Sequence, residues 1–241
     1  MKVESGYLFG AIADGKWIKA AANSIADETT YRVYGLTQPL GETKGGRPKP
    51  EDAPCEETFS VPLSPKPEKG VIALAAWNAL PRKVQSLDTT QKVYVDAVRD
   101  FLKTKGIDQP KVKIDNIIRV DLDGDGEEEV LIGATNYLSK DKSVPMRSPA
   151  GSYSCVLLRR VVSGKVETQL VEGEFHPKAY VRKEDSFDAP NAYKVIAVLD
   201  LDGDGKMEIV VHSRYYEGEA TTIYRCDSNK CEDLLSTGCG A

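Results

Sequence analysis

The hexapeptide Asp-Leu-Asp-Gly-Asp-Gly occurs twice in this chain, at 121–126 and at 200–205. Counted from its first residue, each copy places carboxylates at positions 1, 3, 5 and 9: Asp121, Asp123, Asp125 and Glu129 in one, Asp200, Asp202, Asp204 and Glu208 in the other. Alternate acidic residues in a curled loop can all point inward, and the glycines between them permit the sharp turns. The backbone carbonyl at position 7, that of Glu127 or Lys206, faces the same way. Such a donor set is all oxygen, which is what the hard ion calcium takes, six to eight donors at a time. Four carboxylates within one turn repel strongly unless a cation joins them. The expectation is therefore two Ca2+ ions, one per loop. Plain solvated turns can also be acidic and glycine-rich, but two copies in register, each with the ninth acid, argue against that.

An EF-hand begins the same way and then requires a bidentate Glu at position 12 and an exiting helix. Position 12 is Ile132 in one copy and Val211 in the other, and apolar strand residues follow the loop. The EF-hand pattern fails in both copies.

The elements that must position these loops also repeat. Residues 117–132 align without gaps on residues 196–211, an offset of 79. Each copy reads as strand, acidic loop, strand, then two further strands: Tyr153 to Val162 and Val166 to Val171 in the first, Ala220 to Cys226 and Cys231 to Leu235 in the second. The first copy carries an inserted loop, Ser139 to Gly151. Four antiparallel strands per unit is the make-up of a propeller blade. The loops resemble the FG-GAP or VCBS type of repeat, found in the calcium-binding propeller blades of integrin alpha subunits. That pattern is Asp-x-Asp-x-Asp-Gly-x-x-Asp between two strands. Asp121, Asp123, Asp125, Gly126 and Asp200, Asp202, Asp204, Gly205 match it position by position, while the ninth residue is Glu rather than Asp. The resemblance covers about residues 112–236 and implies calcium as the ligand. With two such units, a closed seven-bladed propeller is not expected, and a smaller open β assembly is.

Before the repeats, residues 1–85 read as a β-rich part. Tyr7 to Ala13, Asp14-Gly15 and Lys16 to Ile18 suggest a hairpin, because Asp-Gly supplies the positive-φ turn. Thr30 to Tyr34 and Gly70 to Trp77 are further strands, while Gly41 to Pro54 and Pro62 to Lys69, rich in Gly, Pro and Lys, read as exposed loops. Residues 86–110 hold the one expected helix, Thr89 to Lys105, with Asp88 and Gln91 as a capping box and Gly106 as its left-handed stop. Tyr94, Ala97, Val98, Phe101 and Leu102 form its apolar face. Residues 111–241 hold the two repeats, at 111–172 and 192–236. The fold class is thus mainly β with one helix.

The net charge of −5 would be positive without the eight ligand carboxylates, so the acidity is concentrated at the two loops and gives no case for nucleic acid as partner. No stretch of 18 apolar residues is present to span a membrane. Five cysteines, three of them in the last 16 residues, leave at least one thiol unpaired in a monomer, and Cys226 and Cys231 flank a short turn where a disulfide can form. The segment after Met1 lacks an apolar signal region, which leaves two readings, a cytosolic protein or a mature chain without its leader; the calcium loops favour the second, a secreted, cell-surface or periplasmic chain. His176 and His212 stand 36 residues apart with no zinc spacing around them, and no nucleophile elbow or phosphate loop occurs. His212, Arg214 and Tyr216 alternate with Glu208 and Val210 on one strand face, and Trp17, Trp77, Tyr215 and Tyr216 offer aromatic surface. The function expected is a non-catalytic extracytoplasmic calcium module that presents a surface to a protein or glycan. The other expectation is a cell-envelope enzyme, hydrolase-like, with structural calcium.

Overall fold

A computed structural model describes residues 6–13, 15–67, 72–74, 77–138, 143–181 and 189–240. Its strands are β1 (Gly6–Tyr7), β2 (Gly10–Ala13), β3 (Lys16–Lys19), β4 (Thr29–Tyr34), β5 (Pro39–Gly45), β6 (Lys49–Pro50), β7 (Phe59–Val61), β8 (Leu63–Ser64), β9 (Ile72–Leu74) and β10 (Gln85–Leu87). The helix α1 (Lys92–Thr104) follows, then β11 (Ile114–Val120), β12 (Glu129–Thr135), β13 (Ser152–Val162) and β14 (Lys165–His176). The chain ends in β15 (Ala192–Leu199), β16 (Glu208–Arg214), β17 (Gly218–Cys226) and β18 (Cys231–Gly240). Among the described residues the protein is mainly β with a single helix, and its antiparallel sheets do not close into a barrel.

Each repeat is an antiparallel meander. The second has the order β15-β16-β17-β18, and the first has β11-β12-β13-β14 with β10 added at its outer edge. Strand pairing repeats with the sequence: Val120 faces Glu129 across the first loop and Leu199 faces Glu208 across the second. Both sheets are covered on both faces, so their strands read as unbroken apolar runs rather than a clean alternation. Ile118, Val120, Leu131, Val156 and Leu158 from the first sheet meet Val195, Val198, Ile209, Val211 and Tyr224 from the second in one core. The alternate side chains Ile117, Ile132, Tyr153, Cys155 and Leu157 turn the other way, onto Val98 and Leu102 of α1. On the far face of the second sheet, Leu199, Val210, Ile223 and Leu235 pack with Tyr34, Ala79, Trp17 and Trp77 of the N-terminal part. The order of layers is helix, first sheet, second sheet, N-terminal part.

The helix starts later than its capping box suggests. Asp88 spends its carboxylate on the backbone N–H and hydroxyl of Thr90, an Asx-type turn, so the first helical residue is Lys92 and Gln91 gives no side-chain cap. Its end is as expected: Gly106 has φ +81°, and Gly106 N and Ile107 N donate to Lys103 O and Leu102 O, a Schellman closure. The expected hairpin is present as β2 and β3, with Ala13 opposite Lys16 and Gly15 at φ +70°, while Asp14 lies outside the described residues. Two segments expected as loops are partly strand: Gly41 to Gly45 belongs to β5, held by β4, and Lys49–Pro50 and Leu63–Ser64 add to neighbouring edges. Pro50 is tolerated because β6, like β8, is a short edge strand, whereas β5 is interior, between β4 and β8. Of Gly70 to Trp77, Ile72–Leu74 is strand β9, while 70–71 and 75–76 are outside the described residues.

Disulfides join Cys226 to Cys231, as expected from the short turn, and Cys55 to Cys239. The second bond ties the N-terminal part to the last strand, 184 residues away. Cys155 is the unpaired thiol, and burial pushes its pKa up to about 12. The native protein should therefore show no thiol to a disulfide reagent, and one thiol after unfolding without reductant. More than one would mean that a disulfide is not formed. Leu102→Ala, which empties the contact between α1 and the first sheet, should cost about 2–5 kcal/mol in denaturant unfolding.

Candidate metal centre

The two acidic loops are folded alike to within about a tenth of an ångström in their hydrogen bonds. In the first, Asp121 accepts from Gly124 N at 2.7 Å and from Gly126 N at 3.1 Å, Asp123 from Asp125 N at 3.3 Å, and Asp125 from Glu127 N at 2.7 Å. In the second, Asp200 accepts from Gly203 N at 2.7 Å and Gly205 N at 3.1 Å, Asp202 from Asp204 N at 3.2 Å, and Asp204 from Lys206 N at 2.8 Å. The paired glycines take φ between +78° and +90°, a conformation open to glycine at no steric cost.

The ninth-position acids carry the tightest constraint. Glu129 and Glu208 are the first residues of β12 and β16 and are 5% and 0% exposed. Each turns back to accept a hydrogen bond from the backbone N–H of the loop's second residue, Leu122 or Leu201, at 2.8 Å. Asp121, Asp123 and Glu129 each bring an oxygen within 4.8 Å of the others, and so do Asp200, Asp202 and Glu208. Each trio can hold a metal ion. Asp125 and Asp204 stand outside these trios, exposed, with an oxygen on the backbone of Glu127 and Lys206. Glu127 and Lys206 are themselves exposed at the loop ends.

Burial sets the electrostatics. Glu129 is raised by loss of solvent, against the pull of the Leu122 N–H and with a further push from Asp123. Asp200 is raised by burial, partly offset by the Gly203 and Gly205 N–H groups, with Asp202 and Asp204 pushing upward. Glu208 is pushed up to about 7 by burial, against the bonds it accepts from Arg225 and Leu201. Burial works against the charge of Arg225 too, but Asp202 and Glu208 outweigh it and hold the guanidinium above its ordinary value. The two partners thus shift in opposite senses in their readiness to ionise. With both Nε and Nη2 within 2.9 Å of Glu208 Oε1, the guanidinium remains charged and the carboxylate carries the burial cost.

Three groups that hold the loops carry no acidic motif and were not singled out as loop supports from sequence. The Trp77 indole N–H donates to Asp200 O at 2.8 Å, and its ring lies 3.2 Å from where a Cβ on Gly203 would sit. Arg82 plays the matching part at the first loop, with Nε on Asp121 O at 2.6 Å and Nη2 on Leu122 O at 2.9 Å. Leu122 O also accepts from Met207 N at 2.8 Å, which stitches the first loop directly to the second. Arg225, on β17, is the third, with Nη2 bonded to Asp202 and Glu208. Strand pairing places it: β17 pairs Ile209 with Tyr224 as β13 pairs Val130 with Arg159, so Arg160 and Arg225 are register equivalents, although they do not share the 79-residue offset of the loops.

The other residues considered take ordinary roles. Trp17 and Trp77 pack on a core cluster instead of forming an exposed platform. Strand β16 ends at Arg214, so Tyr216 does not continue the face of Glu208, Val210 and His212. His212 Nδ1 meets Thr221 Oγ1 at 3.2 Å and its Nε2 stands 3.6 Å from Glu219. Ser148, His176 and Glu174 come together, but Ser148 at 3.2 Å and Glu174 at 3.5 Å both address His176 Nε2. A nucleophilic relay needs the hydroxyl and the acid on opposite ring nitrogens, and Glu174 is further engaged by Asn191 and Tyr193. That cluster ties β14 to the start of β15. Lys105, at the helix end, lies over the rings of Phe101 and Phe175 at 5.2 and 5.4 Å.

Fold and site together define a mainly β protein whose paired sheets each present an acidic loop. Comparison of the chain with protein-family models, with curated proteins and with solved structures finds no match.

The raised pKa of Glu129 has a consequence for stability. Its protonated form favours the fold, so without a cation this contribution is full below 4.5, its ordinary value, and is lost as pH climbs through the higher folded value. In chelator, melting temperatures of the native chain and Glu129→Gln should agree at low pH and separate above it, with the native chain the less stable. Parallel curves across the range would remove this role from Glu129.

Proposed function

We propose that this chain is an extracytoplasmic calcium-binding β module, non-catalytic, in which two ions rigidify a surface that binds a protein or a glycan. The observation that carries the reading is the pair of matched carboxylate trios, each backed by the same backbone hydrogen bonds. Every side chain in them offers oxygen, which favours calcium over zinc or copper. Magnesium demands tighter octahedral geometry and gives up its waters reluctantly, so it binds such loops more weakly. The loops' resemblance to FG-GAP or VCBS repeats supports the same ion. In this reading the ligands are Asp121, Asp123, Asp125, Glu129 and the Glu127 carbonyl, and Asp200, Asp202, Asp204, Glu208 and the Lys206 carbonyl.

The two disulfides suit an oxidising, extracytoplasmic setting. No helix among the described residues is long and apolar enough to cross a membrane. A surface for a partner is available in an open groove of about 1100 Å³ between the N-terminal part and the second repeat, where Phe9, Phe59 and Tyr215 mix with Glu56, Glu57 and Glu219. Aromatic faces beside carboxylates are the equipment of protein and glycan recognition.

Binding of calcium to the folded state alone adds about 2.7 kcal/mol at a hundredfold excess over Kd. For a chain of this length that is about 5–10 °C in melting temperature. A chelator should lower the melting temperature by this order and millimolar calcium should restore it. Asp123→Asn and Asp202→Asn should each remove part of the response and the double variant nearly all of it. A melting curve identical in chelator and in excess calcium would reduce both loops to plain turns.

A further inference from the structure

The two loops share sequence and backbone, yet their carboxylates are not in the same state. In the second loop, Arg225 Nη2 bonds Asp202 Oδ2 and Glu208 Oε1, Nε bonds Glu208 Oε1 at 2.9 Å, and Nη2 stands 3.8 Å from Asp204. Three of that loop's four acids thus face a guanidinium that the chain itself supplies. The equivalent residue beside the first loop, Arg160, acts on Glu129 only through space and makes no hydrogen bond or ion pair to the loop: its Nη2 lies 3.5 Å from Cys226 O, and its Nε is buried without a partner. Among the described residues, Asp123 Oδ2 and Glu129 Oε1, the counterparts of the oxygens that Arg225 occupies, accept no side-chain hydrogen bond and none from the backbone of another residue. Backbone geometry cannot be the source of the difference, because the five backbone bonds of each loop match.

From this asymmetry we infer that the loops are unequal cation sites and that Arg225 is a built-in competitor: the first loop takes a divalent cation directly, the second only by displacing the Arg225 guanidinium from Asp202 and Glu208. The inference rests on the calcium reading and adds an order of filling to it. A cation in the second loop must break charge-assisted bonds to a carboxylate that is fully buried, and those are the stronger class of hydrogen bond. The Arg225 side chain is 34% exposed, so once released it has a way to water. In the first loop no such bonds have to be broken. Their backbones are joined through Met207 N and Leu122 O, so filling the first loop also steadies one edge of the second.

Terbium, an oxygen-seeking ion close to calcium in size, separates the two sites because only the second has a tryptophan against it. Trp77 bonds Asp200 and covers Gly203, whereas Arg82 stands in the matching place at the first loop. With Trp17→Phe as background, tryptophan-excited terbium emission reports the second loop and calorimetry reports both. The expected titration has two steps: a tighter one without sensitised emission, then a weaker luminescent one. Arg225→Gln should move the luminescent step to lower terbium concentration by at least about tenfold, equivalent to about 1.4 kcal/mol, and leave the first step in place. Asp123→Asn should remove the silent step and keep the luminescent one, which also checks that the assignment of steps is right. A luminescent step that is the tighter of the two, or that Arg225→Gln does not move, overturns the inference while leaving calcium binding intact. Absence of both steps in every variant overturns the calcium reading and the inference with it.

Discussion

The bond from a buried carboxylate to the second N–H of its own loop is the constraint on which the acidic centres depend. Glu129 and Glu208 sit where a loop ends and a strand begins, opposite Val120 and Leu199. By reaching back to Leu122 N and Leu201 N, each sets both the length of the loop and the register of the strands on either side. The reach needs a glutamate. An aspartate at the same place, one methylene shorter, would have to shift the strand or give up the N–H. Departure from an Asp at the ninth position thus has a physical content here, since one side chain serves the backbone with one oxygen and the acidic trio with the rest. The cost is a carboxylate held out of water beside other carboxylates, and this is the condition in which a cation, or a guanidinium, is worth most.

Leu122 and Leu201, whose N–H groups take those bonds, are themselves buried in the core clusters between and behind the sheets. The loops are consequently not free appendages. Their first residues are pinned by apolar packing and their last by strand pairing, so only the middle, around Asp123 to Gly126 and Asp202 to Gly205, lies toward solvent. The segment 77–82 adds a second support by holding one loop with an indole N–H and the other with a guanidinium. That segment is anchored in turn by Tyr34, whose hydroxyl accepts from Ala79 N and donates to Trp77 O. The N-terminal part is thereby bound to the acidic centres by hydrogen bonds as well as by the Cys55–Cys239 disulfide.

In the proposed reading, the arrangement separates metal binding from recognition. The acidic trios lie at one type of place, the turn between the first two strands of a repeat, and offer oxygen donors alone. The open groove lies at another, against β17, β18 and the N-terminal part. In that reading, ions at the loops would reach the groove through the sheet, since β16, which begins at Glu208, pairs directly with β17. In the Ser148, His176 and Glu174 cluster, the hydroxyl and the acid both address His176 Nε2, and Glu174 also holds Asn191 at the start of β15.

The amino-acid sequence by itself determined the repeated acidic loops, the strands on either side of them and the Schellman end of the helix. Each of those follows from local chemistry: carboxylate spacing, glycine at positive φ, and short apolar runs bounded by turn residues. The turn bounded by Cys226 and Cys231 was legible for the same reason. What only the tertiary structure decided lies between distant segments. That β5 is a strand despite Gly41 and Gly45 depends on its neighbour β4, since pairing partners outweigh a weak local preference. Asp88 chose Thr90 over the helix end, a contest between two local bonds that spacing does not settle. Trp77, Arg82 and Arg225 reach the loops from 123, 39 and 17–23 residues away. Nothing in a run of residues records such a meeting. The difference between Arg160 and Arg225 is the clearest case: identical side chains in equivalent register, one directed at a disulfide-bonded cysteine's carbonyl and the other at its loop, because the surroundings of the two sheets differ.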